Sequence, residues 1–156
     1  MTLILKQFMD TDIPLFEKWL KKSHVAKWYH DPEDWLLEVT ERADAFQFLH
    51  HFIVSWNGQS IGFCQYYFFS ESGEEWHGTH SLKGTYSIDY MIGEELFLGK
   101  GIGKAIVAEL TDYIMAFTDC ERIIVQPEPE NLASCGALLS NRYVFDEVNE
   151  LFLKEK

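Results

Sequence analysis

The sequence predicts one mixed α/β (α+β) domain over residues 1–156, and three observations predict it. A chain of 156 residues is the size of a single domain and long enough to bury its own core. No repeat, low-complexity tract or Gly/Ser linker interrupts it. β-branched and aromatic runs alternate with apolar stripes at helical spacing, and a strand, a Gly-rich loop, a helix and another strand follow one another at the centre.

The elements read as follows. Residues 3–8 are a short apolar strand. Thr11 or Asp12 caps a helix with Pro14 in its first turn; Ile13, Phe16, Trp19 and Leu20 share one face, and the helix ends near Ser23. An exposed loop is expected at 24–30. Asp31 and Pro32 repeat the start signal, cap and then first helical position, for a second helix that fades before Leu49. Residues 52–56 and 61–69 are strands separated by Asn57-Gly58, a strong signal for a tight hairpin turn. The polar stretch 70–84, rich in Gly, Ser and Glu, reads as a long loop, and loops of that length are more often functional than idle. A strand at 86–92 follows it. From Ile102, apolar residues recur at Ala105, Ile106, Leu110, Tyr113, Ile114 and Phe117, a helical stripe suited to packing on a sheet. Residues 122–125 form a short buried strand, 132–140 a helix, and 144–153 a final strand with partial alternation.

Composition narrows the function. Hydrophobic residues make up 47% and aromatics 15%, which excludes disorder and leaves aromatic rings to line a site as well as fill a core. No apolar run reaches the roughly 18 residues of a membrane span, and residues 1–10 lack a signal peptide's basic start and cleavage site, so the expected location is cytoplasmic. A net charge of −12 disfavours nucleic acid and anionic membranes as partners and favours a cationic ligand. Cys64, Cys120 and Cys135 are odd in number and far apart, and read as reduced core thiols. His77-x-x-His80 and His50-His51 lack partners at a recognised ligand spacing, so no metal is expected.

The motif that carries chemistry is Leu98-Gly99-Lys100-Gly101-Ile102-Gly103-Lys104, between a strand and the start of an amphipathic helix. Unpaired backbone N–H groups and the positive end of the helix dipole converge there, and three alternating glycines let a phosphate approach closely. The plain alternative is a Gly-rich turn that only joins two elements. The P-loop pattern and the later glycine of a dinucleotide fingerprint are both missing, so a different phosphate-bearing cofactor is called for.

Ser87-Ile88-Asp89-Tyr90-Met91-Ile92-Gly93, the loop just described and Pro127-Glu128-Pro129-Glu130-Asn131-Leu132 resemble the GNAT acyltransferases, and closely their aminoglycoside 6′-N-acetyltransferase branch. The resemblance runs from about Asp12 to Phe145 and takes in residues 23–29 and 61–67. It implies a mixed, mostly antiparallel sheet that splays between two central parallel strands and is flanked by helices. It also implies acetyl-coenzyme A as co-substrate. Backbone amides of Gly99, Lys100, Gly101, Ile102, Gly103 and Lys104 would hold the pyrophosphate. Met91 and Ile92 would pair with the pantetheine arm as a missing strand would, and Asn131 would contact the same arm. Asp89 matches the carboxylate that accepts or directs the amine proton; as a strand-kink cap or ion-pair partner it would be merely structural. Tyr29, Gln65, Ser72 and Glu74 match acceptor contacts, whereas Glu71 and Glu75 read equally well as solvated.

The sequence departs from the family pattern twice. The position of a thiolate-protonating Tyr is Leu138, and an acidic position after the following strand is Gln126. The implied activity is acetyl transfer to the amine of a small cationic acceptor, an aminoglycoside 6′-amine first, with antibiotic resistance as the corresponding role. Acylation of a siderophore-type hydroxylysine or of a protein amine is the alternative within the fold; a non-catalytic coenzyme A binding module is the alternative outside catalysis. A monomer and a homodimer both fit, the latter through an edge strand near the C-terminus.

Overall fold

In the computed structural model, which describes residues 2–156, the strands are β1 (Leu3–Gln7), β2 (His50–Trp56), β3 (Gln59–Phe68), β4 (Thr85–Ile92), β5 (Arg122–Val125), β6 (Val144–Asp146) and β7 (Leu151–Glu155). They form one mixed sheet in the order β1-β2-β3-β4-β5-β7-β6. The helices are α1 (Ile13–Leu20), α2 (Ser23–Ala26), α3 (Pro32–Thr40), α4 (Ile102–Met115) and α5 (Leu132–Ser140). Packing gathers the chain into two units, and each draws on two segments. Unit 1 takes the chain up to Gln65 together with Tyr90–Ile102; unit 2 takes Tyr66–Asp89 together with Gly103–Lys156.

In unit 1, β1 and β2 pair antiparallel with Leu3 opposite Trp56 and Gln7 opposite Phe52. Asn57 and Gly58 adopt φ of 49° and 86°, the two positive values that a tight turn between β2 and β3 requires, and the Asn57 carboxamide oxygen accepts from the Thr2 N–H at 2.9 Å. The core gathers Phe8, Phe16, Trp19, Ile53, Phe63 and Met91, with the Phe16 and Phe63 rings 4.3 Å apart. Burying each such side chain contributes roughly 1.5–3 kcal/mol.

Three expectations for this unit need correcting. The stretch 24–30 is not all loop, because residues 23–26 form the single turn α2, with Val25 buried in the core. Asp31 stands at the cap position of α3 but adopts φ 54° and makes no side-chain cap hydrogen bond; Asp12 likewise makes none to α1, and its carboxylate instead accepts from the Met9 N–H at 2.9 Å. The second helix stops at Thr40 rather than approaching Leu49. Arg42 ends it by donating to the Val39 carbonyl at 2.7 Å while its other terminal nitrogen reaches Asp10, so a side chain satisfies an acceptor that a further turn would have used.

In unit 2, β4 and β5 run parallel with Thr85 opposite Arg122 and Tyr86 opposite Ile123, and Ser87, Ile88 and Asp89 continue β4 past that pairing. The buried stripe of α4 here is Ile106, Val107, Leu110, Thr111 and Ile114, while Tyr113 is half exposed and joins Tyr66 and Phe117 in an aromatic group. The expected final strand over 144–153 is two strands. β6 and β7 pair antiparallel, with Val144 opposite Leu153 and Asp146 opposite Leu151. Asp146 turns the chain between them, because its carboxylate accepts from the N–H groups of Val148 and Asn149, and Glu150 takes φ 56°. All three cysteines are free, with Cys64 and Cys120 buried.

Candidate functional site

In unit 1, the end of β4 is shaped by glycines and side chains. A Cβ on Gly62 would lie 2.3 Å from the Met91 carbonyl oxygen, so only glycine lets the two strands approach there. The N–H groups of Gly93 and Glu94 both donate to the Ile61 carbonyl, at 2.7 and 3.1 Å, which puts two residues opposite one and bends the chain away, as a bulge does. Trp19 lies directly against Gly93, and its indole N–H donates to the Glu94 carboxylate. Backbone groups two residues apart in a strand face the same edge. On that edge the Tyr29 hydroxyl donates to the Tyr90 carbonyl at 2.7 Å, and His24 Nε2 bonds the Ile92 carbonyl at 3.0 Å. The structure therefore brings Tyr29 together with the strand that carries Met91 and Ile92. The Tyr29 ring also leans on Trp35 at 4.7 Å.

Beyond the bulge, Gly99 and Gly101 take φ of 72° and 76° on either side of Lys100, and the sites where their Cβ atoms would sit are open. Left-handed residues so placed turn successive N–H groups into an anion-binding concavity, and the chain runs straight on into α4 at Ile102. The Lys100 ammonium lies 5.8 Å over the Phe97 ring. Gln65 is 2% exposed and lies beside the buried His51 side chain. Burial lowers the His51 pKa to about 4, against a partial rise from Gln65, and the ring packs on Phe8 and Phe63.

In unit 2, the charges of Glu74 and Asp89 both act on a residue that the sequence did not single out, Tyr67. The Tyr67 hydroxyl donates to Glu74 Oε1 at 3.2 Å. Burial first, and then the negative charges of Asp89 and Glu74, push that hydroxyl well above the usual tyrosine range, so it stays protonated and donates to Glu74. Tyr67 follows Gln65 by two positions in a strand, and that period could have flagged it. Ser72 shapes the same loop: its hydroxyl donates to the Phe69 carbonyl at 2.7 Å and accepts from the Glu74 N–H at 3.1 Å, with Gly73 at φ 73° between them.

The other expected residues of unit 2 lie apart in the sequence. Asn131 caps α5, its carboxamide oxygen accepting from the Ser134 N–H at 3.2 Å. Gly103 has open space around its would-be Cβ, and the Lys104 carbonyl accepts from Asn141 Nδ2 at 3.0 Å. Leu138 is fully buried, and Gln126 donates to the Glu150 carbonyl at 3.0 Å. Among the described residues, no group of three or more His, Cys, Asp or Glu side chains is placed to hold a metal, and no helix is long and apolar enough to cross a membrane.

A family model described as an acetyltransferase (GNAT) domain matches residues 8–151. The aminoglycoside N(6')-acetyltransferases type 1 of Klebsiella pneumoniae and of Serratia marcescens are each 28% identical over 134 residues, covering 82% of this chain and 67% of theirs. Among solved structures, the aminoglycoside acetyltransferase AAC(6')-Ib in complex with coenzyme A aligns at a TM-score of 0.83 and 22% identity, over 99% of this chain and 95% of that one. Its complex with coenzyme A and kanamycin gives 0.82 at the same identity and coverage. An aminoglycoside N(6')-acetyltransferase from Legionella pneumophila gives 0.72 at 15% identity, over 97% and 89% of the two chains. At these identities the solved structures speak for the fold.

Proposed function

Because the chain belongs to the GNAT acetyltransferase domain family, we propose that it acts as one acyltransferase domain moving the acetyl group of acetyl-coenzyme A to a primary amine of a small cationic acceptor, first of all the 6′-amine of an aminoglycoside. The observation that carries the acceptor class is that the negative charges of Glu74 and Asp89 both act on the Tyr67 hydroxyl, which donates to Glu74 at 3.2 Å. Two carboxylates in one polar group suit a ligand with more than one ammonium. The names of the curated relatives point the same way.

Each residue has a chemical task in this reading. The amine nitrogen attacks the thioester carbon, and the ammonium proton that results passes to the Asp89 carboxylate. The carbonyl oxygen takes the negative charge and then expels sulfur, so the C–N bond forms as the C–S bond breaks. A thiol of pKa about 8.5 can leave as thiolate, which suits a chain with Leu138 where a tyrosine acid would stand. The concavity at residues 99–101 and the start of α4, through Gly103 and Lys104, hold the coenzyme A pyrophosphate. Met91, Ile92 and Asn131 hold its pantetheine arm. Glu74, Ser72, Gln65 and Tyr29 hold the acceptor.

The buried Leu138 favours a second reading, a module that binds coenzyme A without turning it over. The two readings separate when thiol release from acetyl-coenzyme A is followed with kanamycin, a polyamine and hydroxylysine in parallel. Rapid release with kanamycin alone supports the proposal. Binding of coenzyme A with no release from any of the three would transfer support to the binding module.

A further inference from the structure

The polar stretch 70–84 is fastened at a point outside the site just described. His80 Nε2 stands 2.6 Å from Asp146 Oδ2. The same carboxylate accepts from Asn149 Nδ2 at 2.8 Å and, through Oδ1, from the N–H groups of Val148 and Asn149 at 3.0 and 3.2 Å. Those hydrogen bonds, led by the ones from Asn149 and His80, hold the carboxyl down to about 2. One residue earlier, the Asn149 carboxamide oxygen accepts from the Thr79 N–H at 2.9 Å, and its Nδ2 donates to the Thr79 hydroxyl at 3.0 Å. One residue before that, Gly78 takes φ 61°, and its would-be Cβ lies 2.1 Å from the Asn149 side chain, so only glycine fits. Three successive residues are therefore locked onto the turn between β6 and β7.

We infer that this fastening is a positioning device for the acceptor, with His80, Asp146 and Asn149 fixing the loop so that Glu74 is held ready to receive a cation. The inference rests on the reading that Glu74 binds the acceptor. An isolated surface ion pair contributes little, but this carboxylate is shared among four donors, and the side chain of one of them, Asn149, abuts a glycine that admits no side chain. The other end of the segment is pinned as well: Tyr67 and Ser72 hold Glu74, and Trp76 sits edge-on to the buried Phe69 at 4.8 Å. A long polar loop would otherwise lose its backbone freedom at the moment of binding, and ordering it in advance moves that loss to folding.

The test compares His80→Ala, His80→Gln and Asp146→Asn with the parent protein. The readouts are amide hydrogen exchange over 70–84 and the separate KM values for kanamycin and acetyl-coenzyme A. Gln can present an amide nitrogen near the position of Nε2. The expected result is faster exchange across the loop and a roughly tenfold higher kanamycin KM in His80→Ala and Asp146→Asn. The acetyl-coenzyme A KM should stay unchanged, and His80→Gln should restore much of the loss. Faster exchange with no change in kanamycin KM would overturn the positioning role and leave the acetyltransferase reading standing. Unchanged exchange, or both KM values rising together, would overturn it as well. A parent protein inert toward kanamycin would remove the acceptor reading and this inference with it, even where the loop loosens as described.

Discussion

At the scale of single residues, two side chains make opposite use of burial. Asp89 sits half-buried in β4, and its negative charge acts on the Tyr67 hydroxyl; it is the residue proposed above to take the amine proton. Replacing it by Asn removes the proposed base but keeps the shape, so turnover should fall by about 10²–10⁴-fold while coenzyme A binding, followed by calorimetry, stays the same. Undiminished turnover would take the role from Asp89. His51 is buried neutral, with its pKa lowered to about 4 by burial. Between pH 6.5 and that value the unfolded chain binds a proton that the folded chain does not, so acid favours unfolding throughout that window. Urea unfolding at pH 7 and pH 4 should differ by on the order of 3 kcal/mol from this residue. The difference should shrink in His51→Phe, whose ring suits the packing against Phe8 and Phe63.

At the scale of elements, the loop into α4 depends on backbone conformation rather than on space. An alanine at Gly101 meets no neighbour, yet φ 76° disfavours any Cβ by roughly 1–2 kcal/mol. Gly101→Ala should therefore relax the concavity and weaken coenzyme A binding roughly tenfold with little change in melting temperature; binding as tight as the parent's would argue against the anion site. Much of this level was legible beforehand. Asn57-Gly58 announced its turn because two positive φ values in succession suit few residue pairs, and the alternating glycines of 98–104 announced a loop ahead of the helix. What the sequence hid depends on distant partners. Nothing local to 32–49 reveals that Arg42 will close α3 at Val39, and the partial alternation through 144–153 conceals a turn that a single carboxylate makes. Tyr67 escapes notice, and His80 is weighed only as a metal ligand, because their partners, Glu74 and Asp146, are matched to them only by the fold.

At the scale of the whole molecule, the charge of −12 sets long-range behaviour that no single contact does. Raising sodium chloride from about 0.05 to 0.5 M should screen that field and lower kcat/KM for a polycationic acceptor roughly tenfold. The kcat/KM for anionic acetyl-coenzyme A should hold or rise, and a parallel fall of both would exclude steering by net charge. The exchange of segments between the two units also governs the order in which the protein can be made. A chain emerging from the ribosome has Gln65 outside long before it can close unit 1, because Tyr90–Ile102 must still arrive, and those residues follow a segment that belongs to unit 2. At the usual rate of synthesis that wait lasts several seconds. During it, the aromatic faces of Phe16, Trp19 and Phe63 lack Met91 from their packing, so the core of unit 1 closes only after part of unit 2 has been made.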